Sequence, residues 1–378
     1  MTGISPVVIG SSRHPQLAGL SGVLLVQCAP DEAMAAAAVA DRPGAGLVVT
    51  ASRGRRRDML AVANYLRRMN DYRRPLLLDA GRYSGTRRVV ASEAFSLDWT
   101  ATQRELGLPV LTDSGYVAEG DEAGLVSILE RARDLGDAIA TLALHISWLK
   151  PDAELATLIH HVREFDVPVA LVLEHAGDPL GVKAVMVGLP RLLACGVPVI
   201  LLRCDVSALG SLCFGATAAA VGTRTSLRHL YPAPKDGDTG GGGQQASISA
   251  VVKECLAFIS IDKIAFAAQA DPDNDMWTCA CEACLQRRLH WFAMLPDRQQ
   301  QETAAFRHSI EVLLDLRDQL LNPALTLPER RESWRQHCFN AQFRHDAIES
   351  DLHAWNPPAF LGRWLAATAP TRLHERIR

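Results

Sequence analysis

The chain has 378 residues, 48% of them apolar, and a formal net charge of −3 at pH 7. This allows one large domain, or a large domain with a smaller one, and excludes a globally basic nucleic-acid binder. No basic start followed by an apolar core opens the chain, and no apolar run reaches the roughly 18 residues of a membrane helix, so the expectation is a cytoplasmic protein. Nine cysteines in that compartment do not imply disulfides. Cys28, Cys195, Cys204, Cys213 and Cys255 stand singly in apolar stretches and read as small buried hydrophobes.

Eight short apolar, β-branched runs follow one another through the first 225 residues. They are GVLLVQC from Gly22, GLVVTA from Gly46, PLLLDAG from Pro75, LPVLTDSG from Leu108, TLALHIS from Thr141, PVALVLEH from Pro168, VPVILLRCD from Val197 and TAAAVG from Thr217. Between them lie stretches with apolar residues at helical spacing, such as DMLAVANYLRRM, GLVSILERARDL and ELATLIHHVREF. Strands apolar on both faces that alternate with helices predict a parallel sheet covered by helices. Eight such units match a (β/α)8 barrel of the TIM type over residues 1–250. A doubly wound open sheet is the alternative, but VLLVQCAPDE carries no glycine-rich phosphate loop.

Eleven arginines fall between Arg53 and Arg88: Arg53, Arg55, Arg56, Arg57, Arg67, Arg68, Arg73, Arg74, Arg82, Arg87 and Arg88. They are either a phosphate-binding cluster or a solvated face with loop charges. The segment KDGDTGGGGQQ from Lys235 cannot pack a core and reads as a flexible loop. After it a helix, the run KIAFAAQA, a polar segment and a cysteine cluster are expected, then long helices. Residues 251–378 form the expected zinc-binding helical subdomain. Trp334, Trp355 and Trp364 are expected to pack its helices on the barrel.

Several runs end in polar groups: Asp79, Asp113, His145, Glu174 with His175, Arg203 with Asp205, and Thr223 with Arg224. In a barrel such ends gather at one face, where chemistry is found.

Cys279, Cys281 and Cys284 form a CxCxxC pattern, whose thiolates can converge on one tetrahedral ion. A closed site needs a fourth ligand. His308, 24 positions after Cys284 in a periodic helix, is favoured over His290, His337, Cys338 and His345. Three cysteines and one histidine leave no open position, so zinc here is expected to be structural.

The cysteine pattern followed by a histidine heading a long helix, CACEACLQRRLHWF then RHSIEVLLDLRDQL, resembles the tRNA-guanine transglycosylase family. RPLLLDAGRYSG resembles that family's strand ending in Asp-Ser-Gly-Gly, with Asp79 at the catalytic aspartate and Ala80 replacing the serine. WTATQRELGLPVLTDSGY resembles the helix and strand ending on a purine-reading aspartate, here Asp113. AAAVGTRTSLRH resembles the Pro-Thr-Arg-Asn segment, with Gly222, Thr223 and Arg224 in the matching places. The family's nucleophilic aspartate corresponds to Ala218, which cannot form a covalent ribosyl intermediate.

What the resemblance implies is N-glycosidic chemistry, or base exchange, on a purine in a nucleoside or nucleic acid such as tRNA or DNA. Asp79 is then the acid, base or stabiliser, Asp205 a substitute nucleophile and Asp113 the purine reader. Glu174, Arg203 and Arg224 are candidate substrate contacts, and His145, Glu174 and His175 candidate proton shuttles. A homodimer is also implied. The competing expectation, favoured by Ala218, is a degenerate barrel that binds nucleic acid or a protein partner without turnover.

Overall fold

The structure is a computed structural model describing residues 13–51, 56–233, 247–348 and 355–367. Arg53, Arg55 and the glycine-rich segment 235–245 lie outside the described residues.

Each of the eight apolar runs forms a strand. In chain order the elements are β1 (Val23–Cys28), α1 (Ala33–Ala40), β2 (Ala45–Thr50), α2 (Arg56–Arg68), β3 (Leu76–Asp79), α3 (Leu97–Glu105), β4 (Val110–Leu111), β5 (Tyr116–Val117), α4 (Glu122–Leu135), β6 (Ala138–His145), α5 (Ala153–Phe165), β7 (Val169–Glu174), α6 (Lys183–Leu193), β8 (Val199–Cys204), α7 (Ala208–Cys213) and β9 (Ala218–Gly222). All pairings among these strands are parallel, in the order β3-β2-β1-β9-β8-β7-β6-β4. β5 pairs further along β6 than β4 does, so the two share one strand position. Hydrogen-bonded pairing is open between β3 and β4.

The sheet is curled. Arg203 on β8 stands four strand steps from Asp79 on β3, roughly 19 Å on a flat sheet. Yet Arg203 Nε lies 3.6 Å from Asp79 Oδ2. Leu25, Val48, Leu77, Ile139, Val172, Ile200 and Ala220, from seven different strands, share one interior cluster. The opposite faces of the same strands pack under the helices in a second cluster. Burial on both faces explains why the runs are continuously apolar rather than alternating.

After β9 come the hairpin β10 (Ser249–Val252) and β11 (Ala257–Ser260), then α8 (Ile261–Ala270), the short pair β12 (Thr278–Cys279) and β13 (Arg287–Arg288), α9 (Arg298–Leu320), α10 (Leu327–Ala347) and α11 (Ala359–Ala367). The helix expected before KIAFAAQA is instead the β10–β11 hairpin, and KIAFAAQA is itself helical, in α8. The stretch QRRLHWF forms β13 and a 3-10 turn. Leu285 and Gln286 hold φ of +51° and +64°, left-handed angles that end any helix there.

α9 packs against α1 and β1. Arg42 pairs with Asp315 at 2.8 Å and Asp318 at 2.6 Å, and Arg317 Nε donates to Gly22 O at 2.8 Å. Trp334 and Trp364 are fully buried over α7, meeting at Gly210. Trp355 instead packs edge-on against Trp277, beside α8. Among the described residues no helix is long and apolar enough to cross a membrane.

Candidate metal centre and strand-end site

The ligand atoms of Cys279, Cys281, Cys284 and His308 all lie within 4.8 Å of one another. β12 carries Cys279, and the turn towards β13 carries Cys281 and Cys284. Leu285 N donates to Cys281 O at 2.9 Å and Arg287 N to Cys284 O at 3.0 Å, so the turn wraps around the thiols. His308 comes from α9. Its Nδ1 lies 3.4 Å from Cys281 Sγ and 3.3 Å from Cys284 Sγ. Tetrahedral zinc with ordinary bond lengths separates such atoms by about 3.6 Å. His308 Nε2 donates to Val251 O on β10 at 2.7 Å, which leaves Nδ1 free to ligate. Glu311, one turn on, accepts from Ala283 N at 2.9 Å and braces the cysteine turn.

The cluster is electrostatically primed. Hydrogen bonds from Cys281 and Cys284 pull the Cys279 thiol well below its ordinary pKa. Burial alone would lower His308, but hydrogen bonds to Cys279 and Cys284 outweigh it and raise the ring to about 10. A cation bound among these groups can take the place of a proton shared between the imidazole and the thiols. Cys284 and His308 are fully buried. A closed set of three sulfurs and one nitrogen can hold a metal ion and leaves no coordination position for substrate. His290, His337, Cys338 and His345 stand outside the cluster; His345 Nε2 bonds Cys255 O at 3.0 Å.

The candidate residues on the sheet lie at the carboxyl ends of its strands, each in a different setting. Asp79 is 2% exposed. Its Oδ2 accepts from Tyr83 OH at 2.7 Å and from Thr50 Oγ1 and Gln27 Nε2 at 3.2 Å, and its Oδ1 from Gly81 N at 2.9 Å. Gly81, at φ +62°, makes the turn that brings this amide back. Gln27, Thr50 and Asp79 continue the inward faces of Leu25, Val48 and Leu77 and cap the apolar interior with a polar layer.

Arg203 joins that layer by a backbone irregularity. It holds φ +52°, and β8 shifts register between Leu201 and Cys204. Such a bulge turns a side chain to the other face of the sheet. Arg203 Nε donates to Tyr83 OH at 3.0 Å, and its backbone N–H donates to Gln27 Oε1 at 2.6 Å. Burial alone would lower its pKa, but Tyr83 and Asp79 raise it.

Asp113 is also 2% exposed. Its Oδ2 accepts from Arg56 Nη2 at 2.7 Å and Arg82 Nη1 at 2.9 Å, and its Oδ1 from Ser96 N at 3.0 Å. The segment Gly81–Arg82 thus ties Asp79 and Asp113 together. Glu174 accepts from Arg88 and from Tyr116 OH. Arg224 pairs with Asp31 at 2.7 Å and Glu32 at 2.8 Å, apart from this group. His145 Nδ1 caps the turn at Ser147, and His175 Nδ1 meets Gly177.

Asp205 differs from the other carboxylates. It is partly exposed and, among the described residues, accepts one bond, from Val206 N at 2.7 Å. The negative charge of Asp205 reaches Asp178, a residue the sequence did not mark. Burial first, and Asp205 second, push Asp178 up to about 7. Asp178 Oδ2 is sealed from solvent beside the Ser207 hydroxyl, and the ring nitrogens of His229 are sealed as well, near the Ala176 backbone. Burial lowers the His229 pKa against the pull of Asp205. Asp178 sits in a loop and His229 in the tail after β9, so strand-end position could not reveal them.

Ala218 is the first residue of β9, in register with Val23 and Ile200 and buried in the interior. It lies at the amino end of its strand, whereas Asp79 closes the carboxyl end of β3.

The arginine cluster is not one patch. Arg56, Arg82 and Arg88 are bound to Asp113 and Glu174 at the strand ends. Arg67, Arg73 and Arg74 line a cleft at the opposite end, with Pro75 and Asp137. Arg57, Arg68 and Arg87 are exposed. In comparisons with known proteins, the chain matches no family model and no curated protein sequence.

Proposed function

We propose that the chain is a zinc-clipped (β/α)8-type barrel, similar to tRNA-guanine transglycosylases, that binds a purine-bearing ligand without exchanging its base. In this reading residues 1–250 are the barrel, with its seam between β3 and β4. Residues 251–378 are the zinc-bearing helical subdomain, whose α9 covers β1. Zinc is the metal that three thiolates and an imidazole in a closed tetrahedron favour, and its role is structural.

One observation carries the loss of exchange. The carboxylates that the resemblance assigns to catalysis and purine reading, Asp79 and Asp113, are buried and engaged by this chain's own donors. Asp79 accepts four hydrogen bonds and Asp113 three, which leaves little capacity for the proton transfers of base exchange. Ala218, at the amino end of β9, stands away from these strand ends and does not bear on their chemistry.

A second reading rests on Asp178 and Asp205. A carboxyl raised to about 7, Asp178, near a second, partly exposed carboxyl group, Asp205, offers an acid and a nucleophile for an N-glycosidic bond. One experiment separates the readings. The full chain is incubated with radiolabelled guanine and unmodified tRNA or duplex DNA, and bound and incorporated label are counted. The binding reading predicts a retained complex and no incorporation or base release. Incorporation or release that disappears in Asp205→Asn would sink it in favour of the second.

A further inference from the structure

A cavity of about 620 Å³ lies between the outer face of β1 and β9 and the inner face of α9. That volume is in the range of small-molecule sites. Leu24, Val26, Ile310 and Leu313 line it on the apolar side. The loop leaving β9 lines it on the polar side, through Thr223 to Ser226 and then Arg228.

Arg228 is the unusual group. It is 8% exposed, yet it forms no ion pair among the described residues. Its Nε donates to Gly222 O at 3.1 Å, and its guanidinium lies 3.3 Å from the centre of the Phe258 ring. Its two terminal nitrogens make no hydrogen bond among the described residues. The other arginines of the rim are matched: Arg224 with Asp31 and Glu32, and Arg298 with Glu302. Asp205 acts on Arg228 electrostatically without pairing with it, and burial lowers the guanidinium's pKa.

An arginine stays charged at any working pH. Burying that charge without an anion is costly. The cation–π contact offsets part of the cost, but it leaves the terminal nitrogens as donors. Their fork geometry suits an oxyanion held by two bonds.

We infer that this cavity binds an organic oxyanion, a carboxylate or a phosphate ester, with its charged end on Arg228 and its apolar body between β1 and α9. The cavity is not lined by Asp79, Asp113 or Glu174, and the inference stands whether or not the chain exchanges bases.

The test is calorimetric titration of the full chain with hexanoate, hexyl phosphate, inorganic phosphate and, as the neutral control, hexanol. At least one of the two hexyl anions should bind about tenfold or more tightly than hexanol. Their ranking distinguishes a carboxylate from a phosphate ligand, and inorganic phosphate reports what the charged end contributes alone. Arg228→Met keeps an apolar stem on Phe258 and should reduce the anion to the level of hexanol while leaving hexanol unchanged. Should that variant not fold, Arg228→Lys, which loses the fork, should weaken the anion about tenfold and spare hexanol. Leu313→Phe should weaken all the hexyl probes by filling the apolar end. Equal binding of anions and hexanol, no binding of any probe, or anion affinity untouched by the Arg228 variants would overturn the inference.

Discussion

His308 on α9 donates its Nε2 proton to the carbonyl of Val251 on β10 at 2.7 Å. That bond ties the metal cluster to the hairpin after the sheet and presents Nδ1 to the three thiols. The cluster therefore joins three separate parts of the chain: the hairpin, the cysteine turn and α9. The helix carrying His308 also packs on α1 and β1, so the metal site is mechanically continuous with the sheet.

The brace from Glu311 to Ala283 N gives a first prediction. Glu311→Ala leaves all four ligands in place but frees the cysteine turn. Outer-shell partners of this kind are worth about 10–100-fold in metal affinity. Competition with a chromophoric chelator should show a loss in that range. Unchanged affinity would mean that the turn holds itself.

Asp113 gives a second. It is buried against Arg56 and Arg82, so Asp113→Ala leaves two arginines facing a vacated site. Removing one partner of a buried ion pair costs roughly 3–5 kcal/mol, and urea unfolding should show a loss of that order. A loss below about 1 kcal/mol would show that Asp113 is dispensable to the fold and restore it as a candidate ligand contact.

Asp178 predicts a pH effect. With a folded pKa of about 7, well above its ordinary 3.8, Asp178 keeps its proton in the folded chain where the unfolded chain has lost it. Folding then takes up a proton between about pH 4 and 7. Its contribution is best at low pH and is lost as pH rises through 7. Asp178→Asn should therefore stabilise the chain by about 1–2 kcal/mol at pH 8 and hardly at all at pH 4.5. Equal effects at both values would place the carboxyl in an ordinary setting.

Gly210 on α7 lies directly beneath Trp334 and Trp364. Trp334→Ala should cost about 3–5 kcal/mol by opening a cavity there. Gly210→Val should cost a comparable amount by forcing the indoles off α7. Thermal unfolding of both variants checks whether the last helices are integral to the domain.

These expectations show where sequence was legible. The eight strands could be read because burial on both faces leaves an unbroken apolar run, as in VALVLE of β7. The metal ligands could be read because three of the four lie within six residues of one another. The arginine partners could not. Arg82 with Asp113 and Arg88 with Glu174 are set by how the sheet curls, which brings residues tens of positions apart into contact. Arg203 is harder still, since alternation along β8 points it outward and only its left-handed backbone turns it in. The β10–β11 hairpin was missed because SISAVVKECLAFIS carries apolar residues that fit either period.

The claim on which most depends is that Cys279, Cys281, Cys284 and His308 hold a structural zinc ion. The most direct measurement is elemental analysis of the purified chain and of Cys281→Ser and His308→Ala, with thermal unfolding before and after chelation. The account predicts about one zinc per chain in the wild type, loss of metal in both variants, and a lower melting temperature on chelation. Zinc well below one per chain, with melting unchanged by chelator or by either substitution, would contradict it.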